Sequence, residues 1–282
     1  MHIRTILKWY PASADTGRVK VVILCGGQGT RMREETEFRP KPMVDIGGKP
    51  ILWHIMRRYA AYGLRDFVLC LGYRGEMIKE YFLRYHALGA DFTVDLAAGA
   101  VECHRPAAED WRVTLVDTGL ETMTGARVER VRGYLEDDEH FCVTYGDGLA
   151  DIDVSALVDF HRRHGRVGTV TSVYPPSRFG QLVADGTRVT SFSEKPPREG
   201  TRISGGFFVF SRTFLDHLPA RADLILEREP LEGLARTGEL QVYEHDGWWQ
   251  CADTVRDVDG LRALWAAGDA PWVPSPVRLR AA

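Results

Sequence analysis

No two of the five cysteines are spaced as a CxxC pair, and no apolar run reaches the length a bilayer requires. An odd, unpatterned set of cysteines argues against a disulfide scaffold and for a reduced, cytoplasmic protein. Cys25, Cys70 and Cys142 stand inside apolar strand-like runs, where a free thiol behaves as a small hydrophobe, while Cys103 and Cys251 are isolated. The opening residues MHIRTILKWYPASADTGR are broken by Arg4, Lys8 and Pro11, too often for the apolar stretch of a secretory signal. Excess charge is missing too: 36 Lys and Arg face 39 Asp and Glu, a net charge of −3. No global basic field invites nucleic acid or an anionic membrane, so any bound anion must be handled locally. Internal repeats and low-complexity tracts are also absent.

What the chain does have is a regular alternation of apolar runs and helical patterns. VKVVILC (19–25) is a continuous apolar run ended by Gly26, which suits a strand buried on both faces. In PILWHIMRRYAAYG, residues Ile51, Leu52, Ile55, Met56, Tyr59 and Ala60 share one helix face, with Arg57 and Arg58 opposite. Pro50 and Gly63 punctuate its two ends. DFVLCLGY (66–73), EHFCVTYGD (139–147) and VGTVTSVY (167–174) supply further core strands, and DVSALVDFHRRHG (153–165) a helix. Met77, Ile78, Tyr81, Phe82 and Tyr85 repeat at helical spacing. This alternation predicts an α/β fold with a doubly wound, mainly parallel, Rossmann-like sheet.

DFTVDLAAGAVECH and RVTLVDTG read as hairpin or edge strands. After residue 175 the short strands FGQLVADG, RVTSFSEK and ISGGFFVF make a β-rich half, followed by ELQVYEHD and the closing helix of TVRDVDGLRALWAAG. One domain is expected over 19–272, its halves being 19–150 and 151–272. A short extension (1–18) precedes it and a loose Pro-rich tail (273–282) follows.

GGQGTR (26–31) comes directly after the first strand. Its spacing excludes a Walker loop, which needs G-x-x-x-x-G-K-[ST], and a dinucleotide fingerprint, whose third glycine is replaced by Met32. A tight glycine turn at a strand's carboxyl end remains. Open α/β sheets take ligands there, and exposed N–H groups form an anion nest. Arg31, Arg39 and Lys41 add positive charge, with Lys41 fixed between Pro40 and Pro42 on stiff backbone. Each piece alone also reads as a glycine loop with scattered surface cations; together they favour a bound triphosphate.

Other residues leave alternatives open. Asp147 in TYGDG is either a turn residue or a metal ligand at a strand's end. Asp253 in WWQCADT is either a ligand or the N-cap of the next helix. Lys195 in SFSEKPP, beside Glu194, has the plain reading of an exposed turn lysine. His161 and His164, at i and i+3 of a helix without further ligands, read as a solvated face. Trp248 and Trp249 belong to core or to a ligand wall. No Ser/His/Asp or Cys/His pattern suggests a covalent nucleophile.

GGxGTR followed by a PKPM-type lysine resembles the nucleotidyltransferase family that makes nucleotide sugars from sugar 1-phosphates. The likeness runs from Val19 to Trp272. EET (34–36), KPILWHIM, LGYRGEMIKEYF, TLVDTG, TMTGARVERV, TYGDGLADID, SFSEKP, GGFFVF and the DT of WWQCADT are similar to the branch that joins CTP to glucose 1-phosphate. The resemblance implies a GT-A-like fold, Mg²⁺ as cofactor, CTP and a sugar 1-phosphate as partners, and a homo-oligomer, a hexamer among the forms it allows. It implies catalytic roles for Arg31, Lys41 and Asp147, and Mg²⁺ ligation by Asp147 and Asp253. Nucleotide binding would fall to Leu24, Gly26, Gly27, Gly29, Thr30, Arg31, Lys41, Thr124, Gly125 and Gly146. Arg178, Glu194, Lys195, Ser204 and Gly205 would face the sugar phosphate.

Two departures bear on specificity. The family's TGGR is TGAR here, so the methyl of Ala126 would crowd a backbone contact to the base. Ser204 stands where glucose-handling relatives carry Asn, and it has a shorter reach and one proton to donate. Rival readings are a uridylyl- or thymidylyltransferase for another hexose phosphate, and a nucleotide-binding regulatory subunit without catalysis. Against the second, the chain keeps both carboxylates and both lysines.

Overall fold

The computed structural model describes residues 19–27, 29, 32–104, 109–176, 180–194 and 201–274. The expectations for residues 1–18, Thr30, Arg31, Arg178, Lys195 and the tail from 275 fall outside them.

The chain opens with β1 (Lys20–Cys25), a one-turn α1 (Arg33–Thr36), and a short ribbon of β2 (Asp45–Ile46) and β3 (Lys49–Pro50) that leads into α2 (Ile51–Ala60). Then come β4 (Asp66–Leu71), α3 (Gly75–Leu83), α4 (Tyr85–Leu88), the hairpin β5 (Phe92–Asp95) and β6 (Ala100–Cys103), β7 (Arg112–Asp117) and α5 (Thr124–Arg130). The middle holds β8 (His140–Tyr145), β9 (Gly148–Ala150), α6 (Val154–His164) and β10 (Gly168–Val173). A second hairpin, β11 (Gln181–Asp185) with β12 (Arg188–Ser193), precedes the long β13 (Ile203–Ser211). The last elements are α7 (Glu229–Thr237), β14 (Leu240–Glu244), β15 (Trp249–Cys251) and α8 (Val255–Ala266).

Seven strands form the central sheet in the order β14-β10-β13-β8-β1-β4-β7. All pairings are parallel except those of β13, which runs against both β10 and β8. The doubly wound form follows from strand residues that are apolar on both faces. Val21, Ile23 and Cys25 face one core with α2, α6 and α8; Val22 and Leu24 face another with α5 and α7. From β1 the chain moves to β4 and β7 on one side and then crosses to β8 on the other. The crevice at the carboxyl ends of β1 and β8 is therefore the topological switch point, where such sheets bind ligands. The middle segment resolves into a free hairpin (β5–β6) and an edge strand (β7), the two forms its sequence allowed.

Two surface assignments from periodicity are corrected. Arg58 is 4% exposed, because its guanidinium donates to the carbonyl oxygens of Ile152 (2.7 Å) and Asp151 and so ties α2 to the start of α6. His161 is 1% exposed, not solvated: its Nδ1 lies 2.8 Å from the Thr169 hydroxyl, and its ring meets that of His140 edge-on. Of the cysteines, Cys25, Cys70 and Cys142 are buried as free thiols. No helix among the described residues is long and apolar enough to cross a membrane.

Candidate active site

A cavity of about 360 Å³ opens at the switch point. Gly26 and Gly27 turn the chain at the end of β1, while Gly146 and Asp147 turn it between β8 and β9. Side chains at two of these positions would obstruct the fold. A Cβ on Gly26 would lie 2.1 Å from the Arg127 guanidinium, and one on Gly146 would lie 2.8 Å from Pro42 Cγ. Arg127 explains the first case. It is 4% exposed and donates to the carbonyls of Gly26 (3.1 Å), Leu71 (3.0 Å) and Gly119 (2.8 Å) and to the Thr118 hydroxyl (2.7 Å). One guanidinium thus fastens the glycine turn to the ends of β4 and β7.

Pro40 and Pro42 shape a single 3-10 turn, Lys41–Met43, that presses against Gly146 and aims the lysine inward. Lys41 Nζ donates to Asp147 Oδ2 at 2.6 Å and to Asp253 Oδ1 at 2.7 Å. Asp253 reaches this point through β15, whose Cys251 pairs antiparallel with Gly148, and through the Ala252 N–H bonded to the Asp147 carbonyl at 2.9 Å. Its N-cap reading is overturned, since Thr254 caps α8 in a reciprocal box with Asp257. Asp147 lies in a turn, and its carboxylate shares the Lys41 ammonium with Asp253.

Burial alone would lower the pKa of Lys41. The charge of Asp147 and the hydrogen bonds Lys41 donates to both carboxylates outweigh it, and the ammonium is held well above its usual range. Cys251 is corrected from an isolated thiol: its Sγ and the oxygens of Asp147 and Asp253 all lie within 4.8 Å of one another. Burial, reinforced by Asp147, pushes this thiol up, so it stands as a neutral S–H beside two carboxylates.

Of the residues expected to hold nucleotide, Leu24, Gly26, Gly27, Gly29, Lys41, Thr124 and Gly146 line the cavity, together with Asp147 and Asp253. Gly125 does not line it, and its N–H is bonded to the Leu224 carbonyl at 2.9 Å. Ala126 is 2% exposed within the core, so its methyl faces away from the cavity it was expected to crowd. Glu194, Ser204 and Gly205 lie outside the lining, with the Gly205 carbonyl taken by Trp249 Nε1 at 2.9 Å. Thr30, Arg31, Arg178 and Lys195 are outside the described residues.

The sequence profile of the Nucleotidyl transferase family matches residues 20–250. The chain belongs to this family. Glucose-1-phosphate cytidylyltransferases of Salmonella typhi and Salmonella typhimurium are each 51% identical to it over 254 residues, 90% of this chain and 98% of theirs. Among solved structures, HddC from Yersinia pseudotuberculosis matches with a TM-score of 0.65 at 22% identity, covering 88% of this chain and 99% of that one. That likeness shows a shared fold.

The donor set of this nucleotidyltransferase suits a hard divalent cation. Two carboxylates from separate segments already converge on one cationic group, the Lys41 ammonium. Sequence reading missed three participants. Cys251 sits two residues before Asp253 on extended chain, so the same-face rule could have found it. Arg127 closes the TGAR motif but carries no sign of burial. Glu227, bonded to Tyr145 across 82 residues, has no local signal at all.

Proposed function

We propose that this nucleotidyltransferase moves CMP from CTP to α-D-glucose 1-phosphate, giving CDP-glucose and pyrophosphate. The observation that carries the reaction class is the meeting of Lys41, Asp147 and Asp253 beside the glycine turn. Support for cytosine and glucose comes from the named activity of the relatives that are 51% identical.

A sugar phosphate oxygen attacks the α-phosphorus in line, and the bond to the pyrophosphate oxygen breaks. The attacking oxygen is already ionised, so no general base is needed, and the protein's work is positioning and charge neutralisation. The N–H groups of the glycine turn, with Arg31, receive the triphosphate. Lys41, held between proline-stiffened neighbours, transfers its hydrogen bonds from the carboxylates to the reacting phosphates. Asp147 and Asp253 would hold Mg²⁺, which supplies charge neutralisation to the phosphoryl oxygens when bound. The sugar phosphate is read as lying toward the β-rich half (151–272), with Lys195 contacting its phosphate, Glu194 and Ser204 serving its hydroxyls, and Arg178 and Gly205 as walls of its subsite. The nucleotide occupies the 19–150 half. A homo-oligomer is part of this reading.

The reading is tested by incubating the purified chain with each of CTP, UTP, dTTP and GTP and a panel of hexose 1-phosphates, and identifying products by mass. CDP-glucose as the dominant product is expected. A dominant uridylyl or thymidylyl sugar would replace the base assignment, and no product from any pair would leave a nucleotide-binding regulatory subunit.

A further inference from the structure

The loop before α7 crosses the start of α5 and accepts hydrogen bonds from its backbone. The N–H groups of Gly125 and Ala126 bond to the Leu224 carbonyl at 2.9 and 3.1 Å, and the Met123 N–H bonds to the Ala222 carbonyl at 2.9 Å. The N–H groups of Gly125 and Ala126 are therefore taken within the protein rather than turned to an anion in the cavity. The same loop next delivers Glu227. Thr124 Oγ1 donates to Glu227 Oε2 at 2.8 Å while accepting from the Leu226 N–H at 2.9 Å. The Tyr145 hydroxyl donates to the other oxygen, Oε1. Thr124 and Tyr145 both line the cavity; the Glu227 carboxylate lies just outside that lining and ties these two residues together, from α5 to the end of β8.

We propose that Glu227 binds the ribose hydroxyls of the nucleotide, with Thr124 and Tyr145 positioning its carboxylate. This rests on the nucleotide reading given above. Three observations lead to it. First, Tyr145 stands two residues before Asp147, which with Lys41 marks the reacting phosphate; Thr124 stands at the start of α5, where the Gly125 and Ala126 N–H groups are already taken. A nucleoside triphosphate runs base, ribose, α-phosphate, so the group spanning these ends lies level with the ribose. Second, a carboxylate repels phosphate, so a ligand at this level must be neutral and rich in donors. Third, an ionised carboxylate only accepts, at about four lone-pair sites, and two of them are used by Thr124 and Tyr145. A ribose 2′,3′-diol presents two O–H donors to what remains, as carboxylates do for ribose in dinucleotide folds.

The test compares kcat/KM for CTP, 2′-deoxy-CTP and 3′-deoxy-CTP in wild type and Glu227→Gln, with thermal melting of both proteins as the control for folding. Wild type is expected to prefer CTP over either deoxy analogue by roughly tenfold or more. Glu227→Gln should lose much of that preference by falling most on CTP and less on each deoxy analogue, which keeps one hydroxyl, with its KM for sugar phosphate and its melting near those of wild type. An equal fall on all three nucleotides would assign Glu227 a purely structural role and overturn the proposal. So would a change confined to the KM for sugar phosphate, or equal use of CTP and its deoxy analogues by wild type. If wild type turns over no nucleotide, the function proposed above falls on its own. The ribose assignment is then read from calorimetric binding, where equal affinity for CTP and 2′-deoxy-CTP overturns it.

Discussion

Lys41 Nζ and Asp147 Oδ2 lie 2.6 Å apart although 106 residues separate them in the chain, and the same ammonium meets Asp253 at 2.7 Å. Lys41 is largely buried and the two aspartates about a quarter exposed, so removing the lysine leaves two like charges facing one another. Lys41→Ala should therefore lower stability by about 1–3 kcal/mol, between the values for exposed and buried pairs. Added Mg²⁺ should raise the melting temperature of the variant more than that of wild type. Melting curves with and without Mg²⁺ check this, and equal shifts in both proteins would show that the carboxylates do not bind the ion.

Asp147→Asn and Asp253→Asn should each lower kcat by about 10²–10³ while leaving the melting temperature near that of wild type. Each variant keeps its side-chain shape and loses the charge that faces Lys41. Steady-state kinetics checks this, and near-normal turnover in either variant would return that residue to a turn or linker role.

Gly26 and Gly27 are neighbours with different duties. A Cβ on Gly26 would collide with the Arg127 guanidinium, whereas nothing lies within 4 Å of one on Gly27. Gly26→Ala should cost about 2 kcal/mol or more, because a buried bonding network must shift. Gly27→Ala should change stability by less than about 0.5 kcal/mol and act through nucleotide KM. Urea unfolding of the two variants separates these outcomes.

Stability should fall on mild acidification. Burial, then the repulsion that His140 and His164 exert when protonated and that of Arg162, lowers His161 to about 3, and burial also lowers His140 and His164. At pH 7 the buried His161 is neutral in the fold. A histidine depressed in the folded state contributes stability that is fully present above the unfolded pKa, near 6.5, and is lost as pH falls toward the folded value. Urea unfolding between pH 7.5 and 5 should show this loss, at most about 1.4 kcal/mol per pH unit for each group. His161→Gln should flatten the slope; an unchanged slope would place the effect elsewhere.

The fold was largely legible because apolar runs mark strands buried on both faces, as in VKVVILC and DFVLCL, and because Pro50, Asp153 and Gly165 mark helix ends. The nearness of Lys41, Asp147 and Asp253 was legible only through resemblance, since no spacing in the chain brings them together. Periodicity failed where another element covers a polar side chain. Arg58 and His161 look like solvent-facing residues on their own helices, and it is the Asp151–Ile152 carbonyls and Thr169 that bury them. Ala126 was misjudged for the same reason: its methyl points into a core that only tertiary packing creates.

The most direct measurement is pyrophosphate release by wild type and Asp147→Asn, with CTP and glucose 1-phosphate supplied singly and together. Release is predicted only when both substrates are present with Mg²⁺, and it should fall by about 10²-fold or more in Asp147→Asn. Release from CTP alone, or undiminished release by Asp147→Asn, would contradict nucleotidyl transfer at the Lys41–Asp147–Asp253 cluster.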